Sequence, residues 1–206
     1  MRKFKEHYEK VEETAKERLK EFSKTNLECD KTLFEELTFC IFAANSSAKM
    51  GLKAVNLLRP VLHKGDVEDY LDAVKGKVRF HTIRSKYLYR NKVFINDQGG
   101  LSSVLSKYED KHALRMYLRR NIVGFGMKES SHFLRNIGFK EFCILDKHVL
   151  RTLASFEVLE SDRTPKNDAE YLAKEAKIYR FAKEHNFSID VLDLALWSFN
   201  TGEILK

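Results

Sequence analysis

The sequence predicts an all-α protein, and three observations carry that expectation. Apolar residues recur at three- and four-residue spacing along nearly the whole chain, and no stretch shows the period-two alternation of a half-buried strand. Only two prolines, Pro60 and Pro165, break the pattern. With 206 residues, the chain suffices for one compact unit or two closely joined small lobes around a sizeable core.

The first helix is expected over 3–23, where Phe4, Tyr8, Val11, Ala15, Leu19 and Phe22 share one face and Lys and Glu fill the other. Helical periodicity continues over 31–44 and 47–62, joined by the small polar run Ala44-Asn45-Ser46-Ser47-Ala48, in which Ser46 or Ser47 suits an N-cap. Further helices are expected at 66–74, 78–95, 100–107, 111–122, 127–137 and 147–157. The stretch SDRTPKND at 161–168 has strong breaker chemistry, and its Asn167 or Asp168 can cap the next helix, 167–185. A last helix over 188–199 is anchored by Leu196, Trp197 and Phe199, with Gly202 placed to end it. There is no internal repeat, low-complexity tract or long linker.

Thirty-seven Lys and Arg against thirty Asp and Glu give a net charge of +7, which tilts the odds toward a polyanionic partner without identifying one. Cys29, Cys40 and Cys143 form no CxxC pair, which argues against a disulfide framework, a zinc knuckle or a four-cysteine cluster and leaves three buried thiols as the expectation. The opening MRKFKEHYEK lacks a signal-peptide core, and no segment has the roughly 18 apolar residues of a membrane span. An intracellular, soluble protein of cytoplasm or nucleoid is expected.

The chemistry concentrates between 111 and 151. A helical pattern ends at Asn121-Ile122, Val123-Gly124-Phe125-Gly126 makes a short turn, and a second helix begins at Met127-Lys128. Two glycines spaced by one residue let backbone amides at a helix N-terminus face a phosphate without a side chain in the way. Taken alone, the same four residues read more readily as an ordinary helix-to-helix turn, since short Gly turns are common.

The pair VGFGMKESSHFLRNIG and ILDKHVLRTL resembles the signature of the helix-hairpin-helix DNA glycosylase superfamily, with a hairpin lysine, Lys128, and an aspartate, Asp146, eighteen residues on. The nearest likeness is to the compact, second-type 8-oxoguanine DNA glycosylase/lyases. It extends to LTFCIFAANSSAKMGLKAV at 37–55, the RF…SKY segment at 79–87 and the closing LWSFNTGEILK. One departure is Val123, where larger relatives place a proline before the first hairpin glycine. The resemblance implies one helical glycosylase unit over 1–206, built of two lobes with an active-site cleft between them, and a helix-hairpin-helix motif at about 111–138. It implies no cofactor and no metal, a monomer, and double-stranded DNA carrying an oxidised purine as partner.

In that family the lysine is the nucleophile and the aspartate the essential carboxylate. Cleaving an N-glycosidic bond builds positive charge on the sugar, which a carboxylate at Asp146 would stabilise. A neutral amine at Lys128 would attack C1′, open the sugar to a Schiff base and permit β-elimination. Burial, nearby positive charge or the positive end of its helix must favour the neutral amine, since lysine is ordinarily protonated. Read singly, Lys128 is a phosphate-binding surface lysine and Asp146 the N-cap of the following helix.

Gly124, Phe125 and Gly126 would hold DNA backbone, as would His148 and Arg151 one and two helical steps beyond Asp146, although Arg151 reads equally as a solvated helix face; the resemblance implies that Asn45, Ser46 and Ser47 enter the minor groove beside the orphaned base. The Ala44–Ala48 run reads equally as a plain capped turn. Phe80 and Trp197 would stack on the flipped purine, although an aromatic on a helix is more often core. The terminal Lys206 would help tell 8-oxoguanine from guanine, which differ at N7 and C8. Two alternatives stay open: a non-enzymatic hairpin module that only grips DNA, and the same chemistry on another oxidised base.

Overall fold

A computed structural model of the chain describes residues 1–204. Their regular structure consists of eleven helices and no strand: α1 (Arg2–Phe22), α2 (Asp30–Ala43), α3 (Ala48–Leu58), α4 (Val67–Val74), α5 (His81–Asp97), α6 (Leu101–Ser106), α7 (Lys111–Asn121), α8 (Met127–Asn136), α9 (Lys147–Ser155), α10 (Asp168–Glu184) and α11 (Ile189–Thr201). Where bounds differ from expectation the causes are local. The third helix stops at Leu58 rather than 62, because Pro60 has no N–H to extend the ladder. The fifth starts at His81 rather than 78, because Phe80 takes a left-handed φ of 56°. Of the candidate caps, Ser47 accepts from Met50 N and Asn167 from Glu170 N.

The chain divides into two compact units, Thr25–Phe133 and the flanking Met1–Lys24 with the chain from Leu134 onward. In the middle unit α2 is apolar nearly all round and therefore buried, packed by α3, α5 and α6. Its core includes Leu33, Leu37, Phe42, Leu58, Leu88, Leu114 and Phe133.

In the flanking unit α11 is the central helix, packed by α1, α9 and α10. Phe4 lies among Phe156, Phe187 and Phe199, with ring centroids 5.3, 6.0 and 5.5 Å away. The buried segment 142–145 has no strand partner, so side chains satisfy its backbone. Cys143 N donates to Glu175, Ile144 N to Asp193 (2.9 Å), Leu145 N to the Tyr171 hydroxyl, and Tyr171 in turn to Cys143 O. Asp193 also pairs with the buried Arg135 at 2.7 Å, and burial pushes its carboxyl up to about 6 against that pull.

Cys40 and Cys143 are buried thiols, whereas Cys29 is half-buried because it occupies the N-cap of α2 at the surface. No described helix is long and apolar enough to cross a membrane.

Candidate functional site

The expected hairpin lies in the middle unit between α7 and α8, and three tertiary devices shape it. Asn91 of α5, fully buried, accepts from Val123 N at 2.8 Å and donates to Val123 O at 2.9 Å. A proline at 123 would forfeit the first of these bonds, so here a carboxamide supplies the stiffness that a pyrrolidine ring supplies elsewhere. Gly124, at φ 91°, lies so close to Tyr87 that a Cβ would meet the ring at 2.9 Å. Phe125 turns its ring inward, 7% exposed and 6.0 Å from Phe133, and its N–H donates to Ile122 O at 3.1 Å.

Gly126 precedes α8 and accepts from Ser130 N at 3.0 Å, while its own N–H donates to Glu129 Oε2 at 3.1 Å. Glu129 thereby closes half of a capping box. Its other oxygen lies 3.1 Å from Lys128 Nζ, and both side chains are largely enclosed, 26% and 15% exposed. The hairpin lysine is thus held by the residue after it, whose second oxygen is fixed to the hairpin backbone.

Asn45, Ser47, Phe80 and the hairpin also belong to the middle unit. A pocket of about 200 Å³ there is lined by Ala44, Asn45, Phe80, Arg84, Tyr87 and Gly124, among others. Asn45 is exposed at φ 48°, and Phe80, 48% exposed, sits with the guanidinium carbons of Arg79 and Arg84 at 5.0 and 4.8 Å from its ring centre. Phe80 is therefore no core residue. The run 44–48 is a capped turn through Ser47, and Ser46 N donates to Ala43 O.

Asp146, His148, Arg151 and Trp197 belong to the flanking unit. Asp146 is the N-cap of α9, with Oδ1 accepting from both His148 N and Val149 N at 2.8 Å. A carboxylate fixed by two amides at a helix N-terminus is charge-stabilised and immobile. Its chain direction is set by the side-chain-bonded segment 142–145. His148 is half-buried and Arg151 exposed. His148 O accepts from Thr152, which is bonded to Asn200 of α11. Trp197 is half-buried one turn before Thr201, whose hydroxyl donates to Trp197 O at 3.1 Å. Lys206 lies outside the described residues.

Sequence reasoning missed Asn91, Glu129 and Arg84. Glu129 had a legible signal, since a Glu three residues after a cap position is the second half of a capping box. Asn91 and Arg84 act on residues 32 and 40 or more positions away, which no local pattern announces. Among the described residues, no cluster of His, Cys, Asp and Glu is arranged to hold a metal ion.

Comparison with known proteins gives a consistent result. A family model described as 8-oxoguanine DNA glycosylase matches residues 15–187. The 8-oxoguanine DNA glycosylase/AP lyase of Thermoplasma volcanium is 34% identical over 192 residues, covering 92% of this chain and 90% of that one. The 8-oxoguanine DNA glycosylase of Thermotoga maritima superposes with a TM-score of 0.89 at 28% identity, over 100% of this chain and 97% of its own. The Methanocaldococcus jannaschii 8-oxoguanine glycosylase/lyase, solved with a 15mer DNA containing 8-oxoguanine, gives 0.86 at 28% identity, over 100% of both chains.

Proposed function

The chain belongs to the 8-oxoguanine DNA glycosylase family, and from that premise we propose that it is a base-excision repair enzyme that removes 8-oxoguanine from double-stranded DNA and cuts the strand as an AP lyase. The observation that carries this reading is the hairpin itself. Lys128 stands in the first turn of α8, two residues after a glycine amide that faces the start of a helix, and its ammonium is held by a carboxylate anchored to that amide.

Lys128 acts as the nucleophile. Its ammonium first passes a proton to the Glu129 carboxylate 3.1 Å away, the neutral amine so formed attacks C1′ as the N-glycosidic bond breaks, and the bonding pair leaves with the base. Ring opening gives a Schiff base, loss of a C2′ proton expels the 3′ phosphate, and water releases Lys128. Asp146 stabilises the positive charge that grows on the sugar, a role suited to a carboxylate with one oxygen pinned by two amides.

The hairpin at Gly124, Phe125 and Gly126, with His148 and Arg151, holds phosphates, the Gly126 amide exchanging its bond to Glu129 for one to a phosphate oxygen. Asn45, Ser46 and Ser47 enter the space left by the extruded base, Phe80 and Trp197 contact bases by stacking, and Lys206 contributes to lesion recognition. The whole chain acts as one catalytic unit and as a monomer, with the hairpin motif over about 111–138.

The test is borohydride trapping on duplexes carrying 8-oxoguanine, thymine glycol or a preformed abasic site. The reading expects covalent complexes with the first and third. Trapping with thymine glycol in preference to 8-oxoguanine would replace the lesion assignment, and binding without trapping on any substrate would reduce the chain to a DNA-binding module.

A further inference from the structure

Arg84 is an unusual side chain for its place. It is 5% exposed, on α5, and burial draws its pKa below the ordinary guanidinium range. Its Nη1 donates to Phe42 O at 2.8 Å and to Arg79 O at 3.4 Å, and its Nη2 donates to Ala44 O. Phe42 and Ala44 carry carbonyls at the C-terminal end of α2, the negative end of the helix dipole, which helices commonly cap with a cation. The same guanidinium lies 4.8 Å from the centre of the Phe80 ring and 6.0 Å from that of Phe42.

What sets this apart from an ordinary helix cap is what stands at each end of it. Asn45 and Phe80 are both non-glycine residues with left-handed backbone, at φ 48° and 56°, and both are exposed. Residues in such conformations persist only where their surroundings over-determine them, and they gather at functional sites. Asn45 follows the carbonyl that Arg84 binds, and Phe80 carries the ring that Arg84 covers. Both line the same pocket, as does Gly124 of the hairpin.

We propose that Arg84 is a positioning residue that locks the Asn45 turn and the Phe80 ring into one rigid, DNA-facing feature, so that the two enter the duplex together when a base is extruded. The inference rests on the repair function proposed above. It assigns Phe80 to holding the duplex open alongside Asn45. Arg84 itself makes no contact with the reacting atoms; it acts through the two elements it joins.

The test is the ratio of two single-turnover rates: excision of 8-oxoguanine from a fully paired duplex, and cleavage at a preformed abasic site, which needs no base extruded. Arg84→Lys keeps the charge but cannot bond the α2 carbonyls and cover a ring at once. The ratio should fall by about tenfold or more, as misplacement of elements remote from the chemistry does. Excision of the same lesion from single-stranded DNA should fall by much less. Phe80→Leu should reproduce the pattern, and the double variant should lose little more than either single one, the sign of two residues acting as a unit.

An unchanged ratio, or an equal loss on all three substrates, overturns the proposal. Arg84→Gln, which also removes the buried charge, is the second variant if Arg84→Lys does not melt cooperatively. Loss of folding in both makes Arg84 a core residue only and likewise overturns the proposal. Absence of any abasic-site cleavage by the unaltered protein instead defeats the repair function, which keeps the two failures distinct.

Discussion

Replacing Asn91 with alanine tests whether the hairpin is held in place from outside itself. The wild-type carboxamide makes two bonds to Val123, at 2.8 and 2.9 Å, from a fully buried position. A neutral hydrogen bond contributes about 1 kcal/mol net, and a buried partner left unpaired costs about 1–3 kcal/mol, so losing both places the effect on the order of 3 kcal/mol. For a chain of this size that corresponds to a fall in Tm of roughly 10 °C. Asn91→Leu separates the causes, because it fills the space yet leaves Val123 N–H and C=O unpaired. It should destabilise nearly as much as Asn91→Ala if hydrogen bonds dominate. The hairpin amides should then meet phosphate in several orientations, and affinity for undamaged duplex should fall by about tenfold, or 1.4 kcal/mol. Differential scanning calorimetry and fluorescence anisotropy measure the two effects. A Tm within a degree of wild type, together with unchanged duplex affinity, would refute the reasoning and leave the G-x-G turn as self-supporting.

Other outcomes follow from the same geometry. Asp146→Asn keeps a cap for α9 but removes the charge, so base removal in single turnover should slow by about 100-fold or more while Tm changes little; a near-wild-type rate would make Asp146 only a cap. Affinity for undamaged duplex should fall linearly in log K against log salt, with a slope of roughly −0.9 per phosphate contacted, and a flat response would contradict phosphate binding. Burial lowers the pKa of His7 and of His63 from 6.5, so the folded state favours their neutral forms. Their contribution to stability is complete above pH 6.5 and is lost as pH falls below it, so His7→Gln should flatten the decline of Tm on acidification, and an unchanged slope would count against this.

The helices and the hairpin were legible in the sequence because each is written in short-range pattern. The faces of α1, the glycines at 124 and 126, and the caps Ser47 and Asn167 all act within one turn of themselves. What was illegible depends on distant partners. Val123 departs from the expected proline, and only the packing of α5 against the hairpin shows that Asn91 takes over its role. Phe80 reads as helical by periodicity, yet two arginines hold it exposed at a left-handed φ just before α5 begins. Nothing in the short pattern around Phe125 shows that its ring belongs to the core. Asp146 meets one of its two sequence readings in the structure. It is a helix cap, and the cap is what immobilises the carboxylate proposed for catalysis.

The central claim is that Lys128 forms the Schiff base, and the most direct measurement is peptide mapping by mass spectrometry of the complex trapped with borohydride on an 8-oxoguanine duplex. The account predicts a single deoxyribose remnant on Lys128, and no trapped complex from Lys128→Gln although that variant still binds duplex. A remnant on another lysine, or undiminished trapping by Lys128→Gln, would contradict it.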